Sequence, residues 1–153
     1  MKKLLAFALL ALVAGPLLAA DVPDLLKQLQ NGDSETRRNA AKLLGEAGAG
    51  ARAAAPALVA ALRDKDRFVR RFAAEALGKI GGDPKVTVPA LALAMRDGTK
   101  EVQQAAAVSL GALGPNAIPA LVAALNDGDK DAAVRARARR QFAAFKAILP
   151  RIP

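Results

Sequence analysis

The pattern of apolar and polar positions between residues 22 and 146 recurs about every thirty residues. Four segments open on an apolar residue followed by proline and a run rich in Leu and Ala, with prolines 33, 33 and 30 residues apart at Pro23, Pro56, Pro89 and Pro119. A second apolar run follows each of them after a polar turn. Similarity at a fixed period is the signature of a repeat architecture. The register predicts four repeats, at about residues 22–54, 55–87, 88–117 and 118–149.

Each repeat is predicted to form two helices joined by an Asp-rich turn. Proline suits the first turn of a helix, where its missing N–H would have no partner. In "DRFVRRFAAEALGKIGG", Asp66 is placed to cap the second helix and Gly81 to end it, while Gly78 permits a close helix contact. The apolar positions of that helix recur at helical spacing, at Val69, Ala73, Ala76, Leu77 and Ile80.

The motif "DxxVRxxAAxALGxIG", followed by a proline-led "PALxxAL", resembles the HEAT-like repeat, of the short type also found in phycobilin lyases. The resemblance covers nearly all of residues 22–146. It implies an all-α fold, a right-handed α-solenoid of about four stacked helix pairs, with the second helices on the concave side. This sequence departs from the motif at Asn31, where the turn Asp is missing, at Gln103, where the Arg is missing, and most strongly in the fourth repeat.

The resemblance also implies a role for the recurring arginine and the recurring turn aspartate, which form side-chain ladders between repeats in that family. A guanidinium offers several donors to carboxylates and loop carbonyls, so these residue types suit the role. Direct contact with a ligand is the alternative. The ladder positions are Arg37, Arg70 and Arg135 for the arginine, and Asp64, Asp97 and Asp127 for the acid.

Variable positions on the second helices are the expected partner-binding residues, because solenoids bind along their concave face. Phe68 and Phe72 are spaced four apart beside Arg67 and Arg71, and aromatic residues with arginine are common at binding hot spots. The alternative is that one or both phenylalanines pack into the core. The "RARARR" run is predicted to be a capping helix, or else a basic patch. The predicted partner-binding residues are Arg38, Lys42, Arg67, Phe68, Arg71, Phe72, Glu75, Lys100, Gln104, Arg137 and Arg140.

Residues 1–20 have the layout of a secretory signal peptide, with two lysines, an apolar stretch and the helix-breaking pair Gly15-Pro16. Cleavage is expected after Ala20, which leaves residues 21–153 as the repeat domain. The pattern predicts a secreted or periplasmic protein. A retained anchor is the alternative, and a membrane contact is then expected only through this segment.

Composition narrows the expected chemistry. The chain has no His and no Cys, so the commonest general base and the thiolate nucleophiles and metal ligands are missing. No cofactor, no metal and no enzymatic activity are therefore expected. Dinuclear-iron hydroxylases of this fold take their metal through His-Glu pairs, and that activity is not expected to carry over.

The sequence as a whole predicts an extracytoplasmic, non-enzymatic scaffold that binds another protein on its concave face. A net charge of +9 favours an acidic partner. A basic module for nucleic acid or an anionic surface is the alternative, although secretion and the lack of Trp and Tyr disfavour nucleic acid. A lyase-type accessory protein is a third reading, for which four repeats are small. No small-molecule substrate is expected.

Overall fold

A computed structural model describes residues 22–119, with the single residues Val122, Ala136, Arg139, Arg140 and Ala143. The region 22–119 contains six α-helices: α1 (Val22–Asn31), α2 (Ser34–Glu46), α3 (Ala55–Ala61), α4 (Arg67–Ile80), α5 (Pro84–Ala94) and α6 (Lys100–Ala112). Two 3₁₀ helices, Gly48–Ala54 and Gly114–Ala117, follow α2 and α6. No strand occurs among the described residues. The prediction of an all-α solenoid is confirmed.

The helices pair as the repeat pattern predicts. Helix α4 packs between α2 and α6, so the second helices form one layer. The first helices, α1, α3 and α5, pack against this layer. The core lies between the two layers, where Leu44, Leu58, Leu77, Leu91 and Leu110 are fully buried. The predicted apolar stripe of α4 is also buried, at Val69, Ala73, Ala76, Leu77 and Ile80.

The ends of α4 form as the sequence predicts. The Asp66 carboxylate accepts hydrogen bonds from the backbone N–H groups of Phe68 and Val69, which would otherwise lack partners at the start of a helix. Gly81 ends the helix in the left-handed region, with φ of 61°, and its N–H donates to the Leu77 carbonyl. A side chain at Gly81 would be strained in this conformation.

The third repeat starts differently from the sequence prediction. Helix α5 begins at Pro84 rather than near Val88, because the Asp83 carboxylate accepts from the Lys85 N–H and Pro84 fits the first turn. Pro89 therefore lies inside the helix. The predicted repeat boundary at residue 88 is about one turn too late for this helix.

Close packing within the second-helix layer depends on glycine. A Cβ built on Gly78 would lie 2.6 Å from Ser109 Oγ and 2.9 Å from Ser109 Cα. At the preceding contact, a Cβ on Gly45 would lie 3.0 Å from Ala76 Cα. The predicted role of Gly78 is confirmed, and small residues set the spacing between neighbouring repeats.

Several predictions fall outside the described residues. The segment 1–20 is one of them, and Asp127, Arg135, Arg137 and most of the predicted capping helix are others. Arg140 is exposed and donates to the Ala136 carbonyl at 3.4 Å. Among the helices that the structure describes, none has the length and apolar character needed to cross a membrane.

Candidate functional site

The turns between helices are joined by arginine–aspartate ion pairs that run from one repeat to the next. Arg37 of α2 donates to Asp64 through Nε at 2.7 Å and a second guanidinium nitrogen at 2.9 Å. Arg70 of α4 binds Asp97 in the same two-pronged way, at 2.8 and 3.2 Å. All four side chains are at least 82% buried. These arginines are therefore not available to a partner in this conformation.

Each ladder residue also organises its own turn. The third guanidinium nitrogen of Arg37 donates to the Gly32 carbonyl, and that of Arg70 donates to the Asp64 carbonyl. The aspartates in turn accept a backbone N–H two residues ahead, from Asp66 and Thr99 respectively. One side chain thus links a turn to its neighbour and holds the turn's shape.

The two departures from the ladder motif have local partners. Asn31 occupies the turn position of the first repeat, and its side-chain amide donates to the Lys27 carbonyl of its own helix. Gln103 occupies the arginine position of α6, and its amide donates to the Asp97 carbonyl. Gln103 therefore keeps the bond to its own turn that Arg37 and Arg70 make.

A second ion pair, which the repeat pattern does not predict, runs parallel to the ladder. Arg38 was expected to face a partner, but its Nε donates to Asp66 at 3.0 Å and a second nitrogen binds the other carboxylate oxygen. Asp66 thus caps α4 and binds α2 at the same time. The Arg37-Arg38 pair preceding an Asp-x-Asp turn is the sequence signal that could have suggested it.

The electrostatics of the three bonded aspartates follow from these contacts. The hydrogen bond from Arg38 is the main cause that holds the pKa of Asp66 well below its ordinary value. Partial burial raises the pKa of Asp64, but the bonds from Arg37 and the Asp66 N–H outweigh it and lower the pKa. Partial burial also raises the pKa of Asp97, but the hydrogen bonds from Arg70 and Thr99 outweigh it and lower the pKa.

These shifts predict a stability that is lost in acid. The folded pKa of each aspartate lies below its unfolded value of about 3.9, so the unfolded chain binds more protons as the pH falls. Stability should be fully present above about pH 5 and should decline below about pH 4. The chain has no His, so little change is expected between about pH 8 and 5.

Urea unfolding at about pH 7, 5, 4 and 3 measures this dependence. Asp66→Asn should be less stable than the unchanged chain at neutral pH and should lose less stability on acidification, because one of the linked carboxylates is gone. A marked loss of stability between about pH 8 and 5 would contradict the assignment.

Phe68 and Phe72 lie next to one another among arginines on the second-helix layer. The guanidinium carbons of Arg38 and Arg67 each lie 4.8 Å from the Phe68 ring centre, and that of Arg71 lies 4.5 Å from the Phe72 ring centre. Both rings are half-buried, and Phe72 packs against the core. One of the two rings therefore packs into the core, as the alternative prediction allowed: Phe72 contributes to the core, whereas Phe68 forms a cation–π cluster at the surface.

A groove of about 640 Å³ lies beside this cluster, between α4 and α6. It includes four of the predicted partner-binding residues, Arg71, Glu75, Lys100 and Gln104. Arg71 pairs with Glu75 across one helical turn, with 3.5 Å between Nε and Oε1. The other lining residues are Gly78, Lys79, Glu101, Ala105, Val108, Ser109 and Ala112.

The remaining predicted residues lie beside this groove or apart from it. Arg67, Phe68 and Arg71 line a smaller adjoining pocket with Thr99 and Glu101. Lys42 lies on α2, where it is exposed and its Nζ is 3.8 Å from Oε1 of Glu46. Val108 was not among the predicted site residues, although it is a large apolar side chain that is 51% exposed. No group of three or more His, Cys, Asp or Glu side chains within the described residues could hold a metal ion.

Family models match two parts of the chain. HEAT repeats match residues 22–92, and the PBS lyase HEAT-like repeat matches residues 102–127. No curated protein sequence matches the chain.

Solved structures share the fold. Human deoxyhypusine hydroxylase in complex with glycerol is 26% identical over 83% of this chain, with a TM-score of 0.63. An engineered protein is 28% identical over 82% of this chain, with a TM-score of 0.57. The chain spans 44% of the length of the first of these structures and 62% of the second.

The hydroxylase corrects one expectation. The absence of His and Cys predicts that the chain is not an enzyme, but human deoxyhypusine hydroxylase, which has the same fold, is an enzyme. Composition removes particular catalytic groups and leaves carboxylates and amines, which also act as acids, bases and nucleophiles. The expectation that the chain has no enzymatic activity is therefore wrong as an inference from composition.

The family matches and the stacked helix pairs agree with each other. Helices α1 to α4 lie within the segment matched by HEAT repeats, and so does α5 apart from its last two residues. Helix α6 lies within the segment matched by the lyase-type repeat apart from its first two residues. The ladder arginines Arg37 and Arg70 both lie within the segment that the first match covers. The two matched segments are HEAT-like repeats, and the described residues are built as a helical repeat scaffold.

Proposed function

We propose that this protein is a scaffold that binds a protein partner on its second-helix face, which we define as the exposed side of α2, α4 and α6. The observation that carries the proposal is the groove between α4 and α6 beside the Phe68 cluster. In this cluster an aromatic ring lies among arginines, and these side chains are at least partly exposed. Aromatic residues and arginine are common at binding hot spots. The leader-like pattern of residues 1–20 supports a location outside the cytoplasm.

The ladder geometry supports the same proposal. Arg37 and Arg70 are bound to aspartates, so the repeats are held in a fixed register. A preorganised surface loses less conformational freedom on binding than a mobile one does. The second-helix face therefore has the rigidity that a binding surface benefits from.

Nucleic-acid binding is less well supported by the same contacts. Proteins that hold single-stranded nucleic acid stack bases on aromatic rings. The guanidinium groups of Arg38, Arg67 and Arg71 all lie within 5.8 Å of the Phe68 ring centre. A base would have to displace them before it could stack.

Affinity capture from envelope extract, with variants of the second-helix face as controls, tests this proposal. The variant Arg67→Glu/Phe68→Ala should recover at least about fivefold less of a partner than the unchanged chain, because hot-spot residues carry most of the binding energy. The matched control is Arg63→Glu, which reverses an exposed arginine beside Val59 and Leu93 on the other helix layer. Circular dichroism shows whether each bait is folded.

Two outcomes would contradict the proposal. One is that no protein is reproducibly captured by the unchanged chain. The other is that Arg63→Glu and Arg67→Glu/Phe68→Ala reduce capture equally, since binding would then not depend on the second-helix face.

A further inference from the structure

We infer that the groove between α4 and α6 is a docking site for a short acidic peptide segment that carries an apolar side chain. This inference rests on the proposed scaffold function and names the chemistry of the partner. The floor, the charged rim and the length of the groove all fit such a segment.

The floor of the groove consists of small side chains around one large exposed apolar residue. Gly78 and Ser109 lie against each other at the base, where α4 and α6 pack closely. Ala105 and Ala112 lie on the same floor with Val108, which is 51% exposed. An apolar side chain seated there would bury Val108, and burial of such surface is favourable. The floor therefore selects an apolar group.

The rim of the groove carries an excess of positive charge. Three basic and two acidic side chains line it: Arg71, Lys79, Lys100, Glu75 and Glu101. Arg71 is paired with Glu75, whereas Lys79 and Lys100 form no ion pair within the part of the chain that the structure describes. Arg67, at the adjoining pocket, contacts the Phe68 ring. Carboxylates on a partner would complement this rim.

The dimensions of the groove suit a peptide. Arg71 and Lys79 are eight residues apart on α4, which corresponds to about 12 Å along the helix axis. An extended chain rises about 3.3 Å per residue, so about four residues span the groove. The volume of about 640 Å³ lies within the usual range for ligand sites. Carboxylates at the two ends would face Lys100 and Lys79, with the apolar side chain between them.

Fluorescence anisotropy with labelled peptides tests the inference. The probe is the peptide DELLD, compared with DESSD, which lacks the apolar side chains, and with KKLLK, in which the charges are reversed. DELLD should bind at least about tenfold more tightly than either, because it alone offers both features of the groove.

Variants of the full chain locate the binding. Val108→Lys should weaken DELLD binding at least about fivefold despite its added positive charge, because the lysine covers the apolar floor. Lys100→Gln should weaken binding and reduce its dependence on salt. Leu93→Lys is the matched control, because Leu93 is 54% exposed on α5 and lies outside the groove. The affinity of this variant for DELLD should change less than about twofold.

Equal binding of DELLD, DESSD and KKLLK would overturn the inference, and so would DELLD binding that is unaffected by Val108→Lys. The inference would also be overturned if duplex DNA or anionic phospholipid vesicles bound more tightly than DELLD, and if Lys100→Gln but not Val108→Lys abolished that binding. The scaffold proposal fails separately. If a captured partner depends on Arg67 and Phe68 but DELLD does not bind, only this inference is wrong.

Discussion

Arg70→Gln is expected to lower the free energy of unfolding by about 1.5–3 kcal/mol, the range for hydrogen bonds to charged groups. The shorter amide can keep the bond to the Asp64 carbonyl, as Gln103 does at its own turn, but it cannot replace the two-pronged bond to Asp97. Asp97 is 87% buried, so its carboxylate would be left largely without its counter-charge. Urea unfolding followed by circular dichroism measures the change.

Two matched variants make the Arg70 result specific. Arg67 lies one turn away from Arg70 on the same helix and is exposed. Arg67→Gln should therefore change the unfolding free energy by less than about 0.5 kcal/mol. Arg70→Gln combined with Asp97→Asn should recover part of the loss, because the stranded charge is removed. If Arg70→Gln and Arg67→Gln have the same small effect, the ladder does not stabilise the stack.

Gly78→Val is expected to destabilise the fold by about 3 kcal/mol, at the upper end of the range for overpacked sites. The first side-chain carbon alone would lie 2.9 Å from Ser109 Cα, so the backbone of α6 must move away from α4. Replacing glycine in a helix normally gains stability from lower backbone entropy, and this gain works against the expected effect. The sign of the result therefore decides whether close contact or chain entropy dominates.

Gly98→Val is the control for this substitution. Nothing lies within 4 Å of a Cβ at Gly98, and its φ is not in the left-handed region, so the change should be much smaller. Thermal unfolding of both variants provides the comparison. A Gly78→Val chain as stable as Gly98→Val would show that α4 and α6 can separate at little cost.

The repeat period was enough to predict the helix pairs, the buried stripe of α4 and the cap at Asp66, because each depends on residues close in sequence. Contacts between repeats were harder to predict. Arg38 binds Asp66 across 28 positions, a pairing set by how far α2 and α4 are shifted along each other. No local pattern specifies that shift. The early start of α5 was missed because the capping residue Asp83 precedes the repeating motif.

The groove could be predicted only in part. Arg71, Glu75, Lys100 and Gln104 were identified because they are polar positions off the apolar stripe. Val108 also occupies a variable position of the second helices, but a single valine there does not by itself indicate a binding residue. Its exposure depends on the rotation of α6 against α4, which the Gly78–Ser109 contact fixes. A site floor made by two helices requires knowledge of that rotation.

The Asn31 amide has a consequence for association between copies of this protein. The two ladder arginines that the structure describes, Arg37 and Arg70, each reach forward to an acid in the following repeat, so the row of contacts has a direction. At the turn of the first repeat Asn31 stands in place of the ladder aspartate and bonds to its own helix, and Asp33 is the carboxylate that this turn keeps. An arginine presented to this turn would pair only with Asp33, whereas the next turn offers both Asp64 and Asp66, so contact between copies through this turn would form fewer ion pairs.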